Sequence, residues 1–148
     1  MPDVPETILL AGMEVELNGE AASPPSAEDL RALMEYAGVP LPDEYLDAMR
    51  RMDGLAAWFG DADDPCYLVL DSCRLAIEGS EAHRLRESGS PLLAVGGDGG
   101  GEAFAIDRTT GEWVLVNWVD IGSGKDEFRF PSLRAMLDAF VAGTAFEG

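Results

Sequence analysis

The chain is expected to fold as one α+β domain, a twisted and mainly antiparallel β-meander with α-helices packed against it. Three observations point there. Leu92 to Asp120 reads strand, glycine-rich turn, strand, turn, strand, with no helix after the glycines as a nucleotide-binding βα unit requires. Two capped amphipathic segments precede it and a third closes the chain. The length, 148 residues, suits a single domain that buries roughly 70% of its unfolded surface.

Three pieces are expected along the chain: an acidic extension over residues 1–25, a main domain over 26–143 and a tail over 144–148. In the extension, Glu14, Glu16 and Glu20 alternate with Met13, Val15 and Leu17, the pattern of a short edge strand with one wet face. Ala21 to Pro25 then reads as a linker. Ser26 is placed to cap a helix through the N–H of Asp29, and Leu30, Leu33, Met34 and Ala37 form its apolar stripe. Gly38 ends it in the left-handed conformation.

Pro42 lies in the first turn of a second helix. Asp43 and Glu44 suit its positive end, and Arg50 and Arg51 its negative end. Its buried face is Tyr45, Leu46, Met49 and Met52, with Asp53-Gly54 as the stop. The two helices read as an αα unit resting on a sheet. Strands are expected at 67–70, 92–95, 103–106 and 113–119, with a further strand-like stretch at 127–130. A polar helix over 80–88 would carry His83. Ser132 caps the last helix, whose stripe is Leu133, Met136, Leu137, Phe140 and Val141, and Gly143 closes it. Leu30, Leu33, Leu46, Met49, Val95, Phe104, Val116, Leu137 and Phe140 are expected to share one core.

The strand from Trp113 alternates apolar residues on both faces, as a central strand does. Trp113 and Trp118 have opposite parity, so they point to opposite sides of the sheet. If helices cover one side only, one tryptophan lies on the open side. Trp118 with Asp120, Asp126 and Glu127 would then make an aromatic anchor among acids, suited to a basic partner.

Composition narrows the function. There are 28 acids against 10 bases, a net charge of −18, and the sole lysine is Lys125. This surface repels nucleic-acid backbones and anionic membranes. It attracts a basic protein or a cation, or serves solubility alone. The N-terminus lacks the basic and apolar regions of a secretory signal, and no stretch is apolar over the roughly 20 residues of a membrane span. A cytoplasmic protein with reduced Cys66 and Cys73 is expected.

The motifs that suggest chemistry fail at specific positions. In Gly96 to Gly101, a dinucleotide fingerprint aligned on Gly97 and Gly99 needs glycine where Glu102 stands. Gly97, Asp98, Gly99 and Gly101 therefore read as a structural turn. Gly122 to Asp126 misses the P-loop at Val119 and Asp126. Asp61, Asp63 and Asp64 break calcium-loop spacing at Pro65. His83 is the one histidine, and Ser72 and Cys73 have no base in register with them, so neither zinc ligation nor nucleophilic catalysis is indicated. No cofactor, metal site or catalytic residue is expected.

Three blocks in order resemble the SUKH superfamily, which includes the fungal Smi/Knr cell-wall regulator and many bacterial toxin-immunity proteins. Val39 to Gly54, VPLPDEYLDAMRRMDG, is similar to its Leu-Pro-x-x-Tyr helix ending in Asn-Gly, with Asp53 in place of Asn. Leu93 to Asp107, LAVGGDGGGEAFAID, is similar to its strand, glycine-rich turn and strand ending in Asp. The helix from Ser132 to Gly143 is similar to its closing helix. The family is united by fold and shares no catalytic motif. The resemblance implies a non-enzymatic immunity protein that occludes a cognate toxin, often a nuclease. A regulatory scaffold of the same fold is the alternative, and a small metal-dependent enzyme a third.

Overall fold

In the computed structural model, which describes residues 6–146, eight strands form one sheet in strict chain order. They are β1 (Thr7–Leu10), β2 (Met13–Leu17), β3 (Leu55–Asp61), β4 (Asp64–Leu70), β5 (Leu92–Gly97), β6 (Glu102–Asp107), β7 (Trp113–Asn117) and β8 (Phe128–Phe130). Every neighbouring pair is antiparallel, so the meander is complete. Helices α1 (Ala27–Ala37) and α2 (Asp43–Arg51) lie between β2 and β3, α3 (Cys73–Ala82) between β4 and β5, and α4 (Leu133–Ala142) follows β8. The expected α+β class holds.

The caps follow the sequence. Ser26 accepts from the Asp29 N–H at 3.0 Å and Gly38 adopts φ 72°, while Ser132 accepts from the Ala135 N–H at 3.0 Å. Pro42 is the residue before α2, not within its first turn. Tyr45, Leu46, Met49 and Met52 are all buried, as their spacing requires.

Several expectations are corrected. The stretch Met13–Leu17 is a strand with Glu14 and Glu16 exposed, but β1 takes the edge and β2 is internal. Strand β3 is absent from the sequence reading, although it carries Trp58. The helix expected over 80–88 lies at Cys73–Ala82, capped by Ser72 on the Leu75 N–H, and residues 83–89 are turns. Helix α1 packs chiefly on α3 instead of pairing with α2. The last long strand ends at Asn117, because the Asn117 side chain accepts the Val119 N–H at 2.8 Å and turns the chain away. The tail expected from residue 144 packs on the domain as far as Phe146: Ala145 is buried and the Phe146 ring meets Phe128 and Phe140 edge-on.

The core is divided by the sheet. One face, with residues of all four helices, buries Leu33, Tyr45, Met49, Leu68, Val95, Phe104, Trp113, Leu115 and Leu137, with Leu30 and Phe140 partly buried against it. The opposite face buries Ala94, Ala103, Ala105, Val114 and Val116 beneath Leu85 and Ile121. Val116 therefore belongs to the second core and not to the one expected. Its parity on β7, opposite to Leu115, is the reason. The segments contributing Leu85 and Ile121 meet over this face, where a Cβ on Gly122 would lie 2.8 Å from Leu85.

Candidate protein-binding surface

The cover on the second face stops short. Leu85 and Ile121 lie over β5–β7, whereas among the described residues nothing covers the same face of β2–β4, which exposes Glu14, Glu16, Trp58 and, in part, Tyr67. On β3 the residues Ala57 and Phe59 point to the helix side, so alternation sends Trp58 the other way. Trp58 faces Tyr67 across the β3–β4 pair, with ring centroids 4.5 Å apart. Tyr67 is held by Asn18, whose Nδ2 donates to its hydroxyl at 2.9 Å. Glu16 is the direct neighbour of Trp58 on β2. No lysine or arginine occurs in β1–β7, and among the described residues neither Glu14 nor Glu16 is in an ion pair.

The glycine turn borders this surface. Asp98 Oδ1 accepts the N–H groups of Gly100 and Glu102, and Gly99 has φ 83° with its missing Cβ position 2.8 Å from the Tyr67 ring. A Cβ on Gly97 would lie 2.5 Å from the Glu102 carbonyl oxygen and 3.5 Å from Trp118 Nε1. The tightest position is Gly96, where a Cβ would fall 1.9 Å from the Val69 carbonyl oxygen. Here the register shifts between Ala94 and Gly96, a bulge that brings β5 against β4. Gly101 is looser, with the nearest atom at 3.7 Å; its carbonyl accepts the Trp118 N–H.

Trp118 lies on the second face as parity requires, but it is half-buried. It packs against the second core, and the His83 ring covers it at 4.9 Å. His83 caps α3, with Nδ1 2.9 Å from the Gly79 carbonyl oxygen. Asp120 is half-buried in the following turn and Asp126 is exposed. Glu127 is engaged elsewhere. It bonds Arg129 at 2.9 Å, and Arg129 also holds Glu112 at 3.2 Å and the buried Asp107 at 2.7 Å. Among the described residues two large aromatics are exposed, Phe146 at the C-terminal end and Trp58, 40% accessible, and of these Trp58 stands on the open half-face. A symmetric hairpin about Ala62-Asp63, LAAWFGD against DPCYLVL, was the signal that could have found it.

The residues that carried the family resemblance serve the fold. Asp53 Oδ1 accepts the Cys73 N–H at 2.8 Å and so caps α3; only an acceptor is needed, which explains why Asp serves where Asn is usual. Gly54 has φ 91° and its Cβ position is 2.8 Å from the Ser72 nitrogen. Glu44 reaches from α2 to accept the Leu133 N–H at 3.1 Å, at the start of α4. Tyr45 is buried edge-on to Trp113, and burial, then Cys73, Asp71 and Asp53, raises its pKa. Both cysteines are free thiols. Burial, then Asp53, pushes Cys73 up to about 12, a value that makes it a poor nucleophile.

Among the described residues no three His, Cys, Asp or Glu side chains converge to hold a metal ion, and no helix is long and apolar enough to cross a membrane. This is an α+β domain with structural signatures inside and an uncovered acidic, aromatic half-face outside. Residues 24–139 match the SMI1/KNR4 family (SUKH-1), and the chain belongs to that family. The family comprises immunity proteins and related regulators that act by binding other proteins and are generally not enzymes. No curated protein matches the chain closely enough to narrow this further.

Proposed function

We propose that this protein is a cytoplasmic immunity protein that neutralises a cognate basic toxin, of the nuclease class, by occluding it. The observation that carries this reading is the half-face of β2–β4, where aromatic rings and unpaired acids lie open in a chain of net charge −18. An enzyme acting on nucleic acid has a positive cleft, and an acidic plug both finds it quickly and fills it. Trp118 adjoins the glycine turn that borders this surface, and Asp120 and Asp126 add to the negative field that steers the partner. Glu127 belongs to the Arg129 cluster and contributes mainly through it.

The test uses the cognate toxin, to be identified from the neighbouring genes or by pull-down from the native cell. Co-expression should rescue growth, and the purified pair should associate more slowly as salt rises, since screening shortens to about 8 Å at physiological ionic strength. Asp120→Asn with Asp126→Asn should slow association more than it speeds dissociation. An association rate indifferent to salt, or a toxin left active at saturating protein, would refute the proposal.

A further inference from the structure

Strands β2 and β3 pair only at Glu16↔Trp58 and Leu17↔Ala57, yet β2 begins at Met13 and β3 runs on to Asp61. Past the Trp58 pair the two strands part. Met13–Val15 keeps β1 on its far side and Phe59–Asp61 keeps β4, so the near side of each presents backbone groups outside any ladder. The split is a cleft of about 600 Å³ with Glu14, Glu16, Trp58 and Gly60 on its walls and Val141 of α4 at its base. At Gly60, which has φ 86°, a Cβ would stand 3.3 Å from Val141.

We infer that this split seats an extended basic segment of the partner protein, with an arginine stacked on Trp58 and held by Glu14 and Glu16. The inference rests on the immunity reading and assigns it a contact site. Three properties of the cleft select that occupant. Inward-facing strand backbone matches an extended chain, as in strand addition. An exposed indole is the best side-chain face for a guanidinium. Two carboxylates with no cation among the described residues supply the counter-charge.

The probe is an acetylated Arg-Val repeat peptide of about eight residues, long enough to fill a strand, titrated by calorimetry and tryptophan fluorescence at low salt. Wild type should bind it with a change in Trp58 emission that Trp58→Phe removes. Trp58→Ala, and separately Glu14→Gln with Glu16→Gln, should each weaken binding by about two- to thirtyfold, the span of a cation–aromatic contact. The Gln pair is on exposed positions, so it reports even where Trp58→Ala misfolds. A peptide N-methylated at alternate residues should bind worse than its parent, because it cannot pair with a strand. No binding of the parent peptide, or equal binding to wild type and both variants, would overturn the inference. Repeating the series with the cognate toxin separates the two claims: full toxin affinity in these variants removes this seat and leaves the immunity reading, whereas peptide binding without toxin binding removes the immunity reading.

Discussion

Asp107→Asn should destabilise the protein at neutral pH and hardly at all in strong acid. Asp107 is 3% exposed. Its Oδ1 accepts from the Thr109 N–H at 2.8 Å, the Thr109 hydroxyl at 2.6 Å and the Thr110 N–H at 3.3 Å, and its Oδ2 meets Arg129 at 2.7 Å. Burial by itself raises the pKa of this carboxyl; hydrogen bonds from Thr109 and Arg129 outweigh it and hold the group down to about 2, from an ordinary 3.8. At about 1.4 kcal/mol per pH unit, this depression is worth roughly 2 kcal/mol. Arg129 is 35% exposed, so screening reduces the ion-pair share and about 1–2 kcal/mol is expected. Because the folded pKa lies below the unfolded one, the contribution is complete above pH 4–5 and is lost as pH falls toward about 2. Removing one negative charge from a chain of −18 acts the other way by relieving self-repulsion, so a net loss at pH 7 isolates the local bonds. Urea unfolding of both proteins from pH 7 to pH 2.5 is the assay, and their difference cancels the titrations they share. The gap should narrow by more than half between about pH 4 and pH 2.5. No gap at pH 7, or one that persists undiminished in acid, would show that Asp107 does not hold the β6–β7 turn to β8.

Other perturbations test separate parts of the fold. Leu137→Ala should cost about 2–5 kcal/mol in chemical denaturation, since Leu137 is fully buried beneath α4 and its loss leaves a cavity; an unchanged midpoint would remove α4 from the core. Gly96→Ala should be more damaging than Gly101→Ala, because the first sets a methyl against the Val69 carbonyl oxygen and the second meets nothing closer than 3.7 Å. Gly99→Val should lower the melting temperature through its φ of 83° and the Tyr67 ring, and a nucleotide panel in the same thermal-shift assay should give no stabilisation of wild type. A clear shift with any nucleotide at sub-millimolar concentration would reinstate the glycines as a ligand cradle.

Much of the scaffold was legible because its signals are local. Ser26, Gly38, Ser132 and Gly143 each act within four residues, and stripes at helical spacing identify buried faces without knowledge of what covers them. The misplaced helix shows where local reading weakens. Cys73–Ala82 has a cap in Ser72, but its stripe, Cys73, Ala76 and Ser80, is built from small residues, so its apolar period is faint. Ser80 is buried since its hydroxyl donates to the Ala76 carbonyl and accepts the Ala94 N–H at 3.0 Å, a partner 14 positions away that no window reveals. Glu44 on Leu133, Asp53 on Cys73 and Arg129 on Asp107 are likewise long-range. They explain the family signature only after folding.

The three tryptophans show how one missed strand moved the candidate site. Trp113 on β7 points to the helix face and Trp118, one residue past the end of the strand, packs on the other, so the two lie on opposite sides as expected. Whether Trp118 is free depended on what crosses that second face, and the answer lies in Leu85 and Ile121, two isolated apolar residues in polar segments. They cover β5–β7 and take Trp118 under His83. Among the described residues the uncovered half belongs to β2–β4, and its aromatic is Trp58, whose strand opens directly after Gly54 with five apolar residues in a row and no polar alternation to mark it. An aromatic pair does stand on the open side of the half-covered sheet, and the register of the β3–β4 hairpin makes it Trp58 with Tyr67 instead of Trp118. The same register aligns Glu16 beside Trp58, so the acids that alternate along β2 and the ring on β3 form one surface only in the folded sheet.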